Sequence, residues 1–199
     1  RTGAIACING PYFATAGNRT YPLGFTVING RLAQLGNPTR PIVTLSPEGE
    51  FHVEVAHPQA FVTSDEYFEP VWLWGINAPA GSDAVTAYDR NWGTTVGVQG
   101  GTAVVVAPEE PESGEHVIVV GIGADSGATW DGTVRSVGSS GSVEIPEDGY
   151  VLVFRGRQES ATDRFQPGRR AAIYTYELPD GWETMRWIAT LGPWFVHEG

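Results

Sequence analysis

Glycine and proline punctuate this sequence along its whole length and limit the chain to short extended elements. The 199 residues include 26 Gly and 14 Pro, about a fifth of the chain, whereas average usage of the two is roughly 12%. The apolar runs between these turn signals suit strands, and no long amphipathic helix pattern interrupts them. The sequence therefore predicts one domain over residues 1–199 with a mainly β or α+β fold. We expect mixed and antiparallel short strands, many Gly/Pro turns and few helices.

Two hairpins are predicted near the start of the chain. Asn29-Gly30 separates the apolar segments 23–28 and 31–35, and Asn-Gly suits the positive φ angles of a type I′ turn. A second hairpin pairs 41–45 with 50–55 across the turn Ser46–Gly49. In its second strand apolar and polar residues alternate, which predicts one apolar and one solvated face. The apolar face holds Phe51, Val53 and Val55, and the solvated face holds Glu50, His52 and Glu54.

Further apolar runs predict strands along the rest of the chain. They are Ala4–Ile8, Val71–Ile76, Ala84–Tyr88, Gly101–Ala107, His116–Ile122, Tyr150–Phe154 and Arg170–Glu177. The Gly- and Ser-rich stretch 123–142 indicates a loop or a weak strand. Residues 182–191 fit a helix or a strand by period, and we favour a strand.

Charge and composition exclude several classes of partner. The net charge is −11 and every basic residue is Arg, so no basic surface is expected for nucleic acid or for an anionic membrane. We read the acidity as favouring solubility. No run of 18 apolar residues exists, which excludes a helical membrane span. The single cysteine, Cys7, lies in an apolar run, where a buried structural role is favoured over a nucleophilic one.

Familiar cofactor and catalytic motifs are missing from the sequence. The four histidines show no metal-ligand spacing, and a solvated loop is favoured for the acidic segment 109–115. There is no Gly-x-Ser-x-Gly elbow, Walker A loop or dinucleotide fingerprint. We therefore predict no metal and no other cofactor.

The segment Tyr88–Trp92 gathers a carboxylate, a guanidinium, an amide and two aromatic rings into five residues after a strand. Such a loop could hydrogen-bond sugar hydroxyls, stack on a pyranose ring and contact a phosphate through Arg90. The simpler interpretation is a β-turn with a surface Asp–Arg pair, and from these residues alone we favour it.

Five blocks in a fixed order resemble the phosphodiester glycosidase family and span nearly the whole chain. They are Ala6–Phe13 with Pro22–Arg31, Ile76–Tyr88, Trp92–Thr95, Ile145–Leu152 and Ala189–Gly199. The opening block, Ala-Cys-Ile-Asn-Gly-Pro-Tyr-Phe, is similar to the family's Ile-Asn-Gly-Gly-(Phe/Tyr)-Phe. Pro11 replaces its second glycine, Leu191 stands where a glycine is usual, and the family's arginine after Ile76-Asn77 is absent.

The resemblance implies a glycoside hydrolase that cleaves a sugar-1-phosphodiester or a related glycan linkage at the anomeric carbon. By the same resemblance, the substrate pocket would be lined by Asn9, Gly10, Tyr12, Asn77, Thr95, Gly192 and Pro193. We add Arg90 as a phosphate contact from the residues themselves. General acid and nucleophile stay unassigned, since the separation of paired carboxylates is a three-dimensional quantity.

The expected partners are a carbohydrate or sugar-phosphodiester substrate and a C-terminal segment of the same polypeptide. The family's pattern continues with an Asp-Gly-Gly-Gly-Ser segment that these 199 residues do not contain. We also expect an extracytoplasmic or secreted protein. The alternative function is a carbohydrate-binding β-domain without turnover, which grips sugar through exposed tryptophans and which the two departures at Pro11 and after Asn77 favour.

Overall fold

The computed structural model describes residues 13–16, 19–36, 41–65, 67–108, 130–138 and 141–190. It confirms a mainly β fold. The strands are β1 Phe13–Ala16, β2 Arg19–Pro22, β3 Phe25–Ile28, β4 Arg31–Leu35, β5 Ile42–Leu45, β6 Phe51–Glu54, β7 Gln59–Ser64, β8 Tyr67–Trp72, β9 Gly75–Ile76, β10 Val85–Tyr88, β11 Thr95–Val98, β12 Gly101–Ala107, β13 Trp130–Gly138, β14 Gly141–Glu144, β15 Tyr150–Arg155, β16 Arg170–Tyr176 and β17 Trp187–Thr190. Two 3₁₀ helices are described, Gly156–Arg164 and Trp182–Thr184.

Thirteen of these strands form one mixed sheet in the order β6-β5-β17-β3-β4-β9-β10-β15-β12-β13-β16-β7-β8. Within the described strands β9 and β10 run parallel, and the other neighbours in this sheet are antiparallel. Strands β1 and β2 form a separate ribbon, as do β11 and β14.

The large sheet curves around one core. Ile42 of β5 and Val62 of β7 belong to the same buried cluster, although a flat sheet with strands about 4.8 Å apart would separate them by roughly 48 Å. The chain itself shows the curvature after β8. Leu73 still donates a backbone hydrogen bond to Ala60 of β7, whereas Trp74 already donates to Val85 of β10. The last strands of the order, β7 and β8, therefore lie close to β10 in the middle of the order.

The centre of the sheet is buried on both faces. Leu152 and Phe154 of β15 face the enclosed core, whereas Val151 and Val153 belong to a second cluster on the outer face. The β11–β14 ribbon covers this outer face with Val96 and Val98. Strand β15 is consequently apolar at successive positions without a two-residue alternation.

Both hairpins form as predicted. Asn29 and Gly30 have φ angles of 50° and 68°, the left-handed pair that a type I′ turn requires. The predicted strands 84–88, 101–107, 150–154 and 170–177 are confirmed as β10, β12, β15 and β16.

Other strand predictions need correction. The run 71–76 is not one strand, because its hydrogen-bonding partner changes within it. Leu73 still bonds to β7, whereas Trp74 bonds to β10. Strand β6 has exposed side chains on both faces, with Phe51 at 64% and Val53 at 51% exposure, since it is the edge of the sheet. The nine-residue strand β13 lies within the stretch 123–142, for which a loop or a weak strand was predicted. Strands β1, β2, β7, β11 and β14 were not predicted. The predicted strands 4–8 and 116–122 lie outside the described residues.

In the described part of the chain, no helix has the length and apolar character needed to cross a bilayer.

Candidate active site

The parallel pair β9–β10 brings two polar residues together at one edge of the sheet. Asn77 directly follows β9 and Asp89 directly follows β10, and neighbouring parallel strands end at the same edge. The Asn77 amide donates to Asp89 Oδ1 at 2.7 Å, and the Asp89 backbone N–H donates to Asn77 Oδ1 at 3.0 Å. The two residues therefore hold each other through a reciprocal pair of hydrogen bonds.

Asn77 is fixed by the surrounding backbone as well. Its side-chain amide also donates to the carbonyl of Ala33 on β4 at 2.9 Å, and its backbone N–H donates to Ala87 at 2.8 Å. The residue is 4% exposed and has a φ of 52°. Asparagine adopts this left-handed conformation more readily than other residues with a Cβ. Backbone geometry and hydrogen bonding thus both favour asparagine here.

The Asp89 carboxylate is partly withdrawn from water and surrounded by amide donors. Its Oδ1 also accepts the backbone N–H of Asn91 at 2.8 Å, and its Oδ2 accepts the Asn91 side-chain amide at 3.1 Å. Burial raises the pKa of Asp89 above its ordinary value, against the lowering effect of the Asn77 and Asn91 hydrogen bonds and of the Arg31 charge. A carboxyl group with a raised pKa is a stronger base than an ordinary aspartate and is suited to accept a proton.

Asp89 lines an open cleft of about 550 Å³, which we call the polar cleft. Its walls are Ile28, Asn29, Arg31, Ala33, Asp89, Arg90, Asn91, Trp130, Glu147, Asp148 and Gly149. The volume falls within the usual range for small-molecule sites. Two guanidinium groups, three carboxyl groups and one indole ring therefore meet in a single depression.

Arg90 is held at the rim of the polar cleft. Its Nε donates to the carbonyl of Pro146 at 3.2 Å, and its Nη2 lies 3.6 Å from Glu144 Oε1. The Glu144 side chain is largely exposed, so this ion pair contributes little to stability. An incoming anion can compete for the Arg90 guanidinium with this solvated carboxylate.

Aromatic packing supports the loop that carries Asp89. The rings of Tyr88 and Trp92 lie 5.0 Å apart, and Trp92 closes a turn by donating its backbone N–H to the Asp89 carbonyl. Burial raises the pKa of Tyr88 to about 12, so its hydroxyl stays neutral at physiological pH. The β-turn interpretation of 88–92 is correct for the backbone. However, Asp89 bonds Asn77 and Asn91, whereas Arg90 pairs with Glu144.

The structure places three of the predicted site residues. Asn77 and Arg90 both belong to the polar cleft or contact its walls. Thr95 lies at the start of β11, and its register partner is Glu144, the residue whose carboxylate pairs with Arg90. The predicted pocket residues Asn9, Gly10, Tyr12, Gly192 and Pro193 lie outside the described residues and stay predictions, as do Pro11 and Leu191.

The fold also brings Arg31, Trp130, Glu147 and Asp148 to the polar cleft, and the sequence did not predict these four as site residues. Arg31 follows the Asn29-Gly30 turn, and Glu147-Asp148 forms the turn before β15. In the sequence alone, Arg31 and the pair Glu147-Asp148 are each interpreted as ordinary charged residues of a solvated turn. Their position beside Asp89 depends on pairing across the sheet, for which the sequence carries no local signal.

Among the residues that the structure describes, no group of three or more His, Cys, Asp or Glu side chains is placed to hold a metal ion. The polar cleft itself offers carboxyl, guanidinium and amide groups.

Comparisons with known proteins identify the fold. No protein-family model matches the chain, and no curated protein matches it by sequence. The solved structure of a "hypothetical protein" from Synechocystis matches with a TM-score of 0.65 at 16% identity, over 93% of this chain and 31% of that one. A "Putative exported protein" from Burkholderia pseudomallei K96243 matches with a TM-score of 0.67 at 17% identity, over 93% and 40%. The chain thus spans well under half the length of these two proteins, and the likeness is one of fold.

Proposed function

We propose that this chain belongs to a glycoside hydrolase that cleaves a sugar-1-phosphodiester at the anomeric carbon. The observation that carries the proposal is the Asp89 carboxyl. Two asparagines hold it, burial raises its pKa, and it shares the polar cleft with Arg31 and Arg90. The resemblance of the five sequence blocks supports the same substrate class.

The two arginines are suited to bind the phosphodiester. A guanidinium presents several N–H donors in a plane that matches phosphate oxygens. Arg31 extends from β4, whose Ala33 carbonyl accepts a hydrogen bond from Asn77. Although the family's arginine after Ile76-Asn77 is absent, Arg31 supplies a guanidinium within reach of the Asp89 charge.

The acidic turn formed by Glu147 and Asp148 is suited to the sugar ring and not to the phosphoryl group. Glu147 and Asp148 would repel a phosphate, but their carboxylates can accept hydrogen bonds from sugar hydroxyls. Trp130 offers an aromatic face in the same cleft. We therefore place the sugar ring toward the acidic turn and Trp130, and the phosphoryl group toward the arginines.

Asp89 acts as the general base in this proposal. A water molecule attacks the anomeric carbon, its proton passes to the Asp89 carboxylate, and the bond from that carbon to the phosphoryl oxygen breaks. The phosphomonoester leaves with the electron pair of this bond and needs no protonation, because the arginines stabilise its charge. A base must be ionised, so activity rises as pH increases through the raised pKa of Asp89.

The test uses aryl phosphodiesters of glucose 1-phosphate and N-acetylglucosamine 1-phosphate in ¹⁸O-water. Attack at the anomeric carbon puts the label in the free sugar and releases an unlabelled aryl phosphate, which mass spectrometry separates. Label in the phosphate would show phosphorus attack and refute the proposal. Absence of turnover by the purified protein on both substrates would refute it as well.

A carbohydrate-binding domain without turnover is the second candidate. Trp130 in the polar cleft and the exposed indoles elsewhere on the sheet favour it. Saturable binding of both phosphodiesters with no product would select this alternative. Export from the cytoplasm is part of both proposals, and the fold shared with a "Putative exported protein" supports it.

A further inference from the structure

A second depression lies beyond the far end of β4. Its walls are Leu35, Gly36, Pro58, Gln59, Trp72, Leu73 and Trp74, and its volume is about 280 Å³. We call it the tryptophan groove. Strand β4 connects the two depressions, since Arg31 and Ala33 line the polar cleft whereas Leu35 and Gly36 line the groove. No acidic or basic side chain contributes to the described walls of the groove.

Two half-exposed indoles dominate the tryptophan groove. Trp72 is 47% exposed and Trp74 is 58% exposed. Leaving so much indole surface in water is unfavourable, and exposed apolar surface of this kind commonly marks a binding site. Gln59, on the adjacent strand β7, adds an exposed amide that can both donate and accept hydrogen bonds.

Both indoles are held in place by their neighbours. The Trp72 ring makes edge contacts with Phe61 at 5.5 Å and with Tyr176 at 6.3 Å between ring centroids. The Trp74 indole packs on the backbone of Gly81, where a Cβ would lie 3.7 Å from Cδ2 and Cε2. These contacts restrict the rotamers of both side chains, which lowers the entropic cost of binding a ligand to them.

We propose that the tryptophan groove binds a neutral oligosaccharide at a site separate from the polar cleft. Flat indole faces pair with the C–H faces of pyranose rings, and the Gln59 amide recognises ring hydroxyls. A charged ligand is disfavoured because the described groove walls carry no ionisable side chain. The site does not require the hydrolase proposal, since it binds sugar units without a phosphodiester.

The test is isothermal titration calorimetry with cellotetraose, chitotetraose and maltotetraose, none of which carries phosphate. We expect saturable binding of at least one of them, unchanged by salt because no charge is involved. Trp72→Ala and Trp74→Ala should each weaken this binding about tenfold or more, a loss of about 1.4 kcal/mol per factor of ten. Failure of all three sugars to bind would overturn the proposal.

Control variants test whether the sugar binds at the tryptophan groove and nowhere else on the surface. Phe51→Ala removes an exposed aromatic ring on the edge strand β6 and should leave binding intact. Asp89→Asn should also bind the tetrasaccharide normally, even if the hydrolase proposal fails. If an alanine variant does not fold, Trp72→Phe or Trp74→Phe replaces it in the test. These variants keep an aromatic face and should retain part of the affinity. Equal affinity in the wild type and in all tryptophan variants would overturn the proposal, as would binding that Asp89→Asn abolishes.

Discussion

The strand β10 has an aspartate just beyond each end, and the two carboxyl groups have opposite properties. Asp83 precedes the strand and accepts hydrogen bonds from the backbone N–H of Arg157 at 2.8 Å and from its Nε at 2.7 Å. The side-chain hydrogen bond from Arg157 is the main cause that lowers the pKa of Asp83. Asp89 follows the strand, bonds neutral amides, and has a pKa that burial raises.

The number of hydrogen bonds that a carboxylate accepts does not decide its role. Both aspartates accept several hydrogen bonds, but only Asp83 has a cationic partner bonded directly to it, at an exposed position. Asp89 loses solvation without an equivalent charge in return. The first arrangement favours the ionised form of the carboxylate, whereas the second favours uptake of a proton.

The largest effect is expected for Asp89→Asn. If Asp89 is the base, this nearly isosteric change should lower kcat by about 10²–10⁴-fold, the usual contribution of a positioned general base. The variant should also lose the acid limb of the pH–rate profile. Steady-state hydrolysis of the aryl phosphodiesters measures both quantities. Asp83→Asn, at the other end of β10, should leave the rate unchanged, and an equal loss in the two variants would contradict the assignment.

Substitutions of Asn77 should have the next largest effect, which is a decrease in the free energy of unfolding measured with urea. Asn77→Ala removes donors from Asp89 and Ala33 and places a Cβ without a compensating side chain at a φ of 52°. We expect a loss of about 2–4 kcal/mol, from unpaired buried polar groups and left-handed strain together. Asn77→Gly relieves the strain alone and should recover about 1 kcal/mol. Equal stability of the two variants would show that the backbone conformation contributes nothing.

The smallest effect concerns the pH dependence of stability, which should have opposite signs at the two aspartates. The raised pKa of folded Asp89 stabilises the protein at low pH, and this stabilisation is lost as pH rises from 3.8 through the raised value. The lowered pKa of Asp83 stabilises the protein above 3.8, and this contribution is lost as pH falls through the lowered value.

The measurement compares urea unfolding of the wild type with that of Asp89→Asn and Asp83→Asn between about pH 3 and pH 7. Relative to Asp89→Asn, the wild type should become less stable as pH rises. Relative to Asp83→Asn, it should become slightly more stable, and added salt should weaken that difference because the ion pair is exposed. Parallel curves for the two comparisons would contradict the opposite pKa shifts.

Local signals predicted those parts of the fold that short segments determine. Asn29-Gly30 has the residue types that its turn requires, and the apolar run 150–154 forms strand β15. The alternation in 51–55 correctly predicts which side chains share a face of β6, but it does not predict that the apolar face is exposed. Whether Phe51 is buried depends on the position of β6 in the sheet, and β6 is an edge strand.

The polar cleft was only partly predictable for the same reason. The residues 88–92 and Asn77 could be picked out by residue type or by resemblance. Their hydrogen bonds depend on the parallel pairing of β9 with β10, which brings Asn77 and Asp89 to one edge. The raised pKa of Asp89 arises from this assembly, and no property of the isolated loop indicates it.

The position of β17 has a consequence for how the protein is made. This strand lies between β3 and β5, and Thr190 accepts a hydrogen bond from the backbone N–H of Phe25 at 2.7 Å. It leaves the ribosome about 145 residues after β5, a delay of roughly 7–30 seconds at typical synthesis rates. Until then the facing edges of β3 and β5 lack their final partner and are open to pairing with other chains. The last described strand therefore sets the earliest moment at which a nascent molecule becomes safe from aggregation.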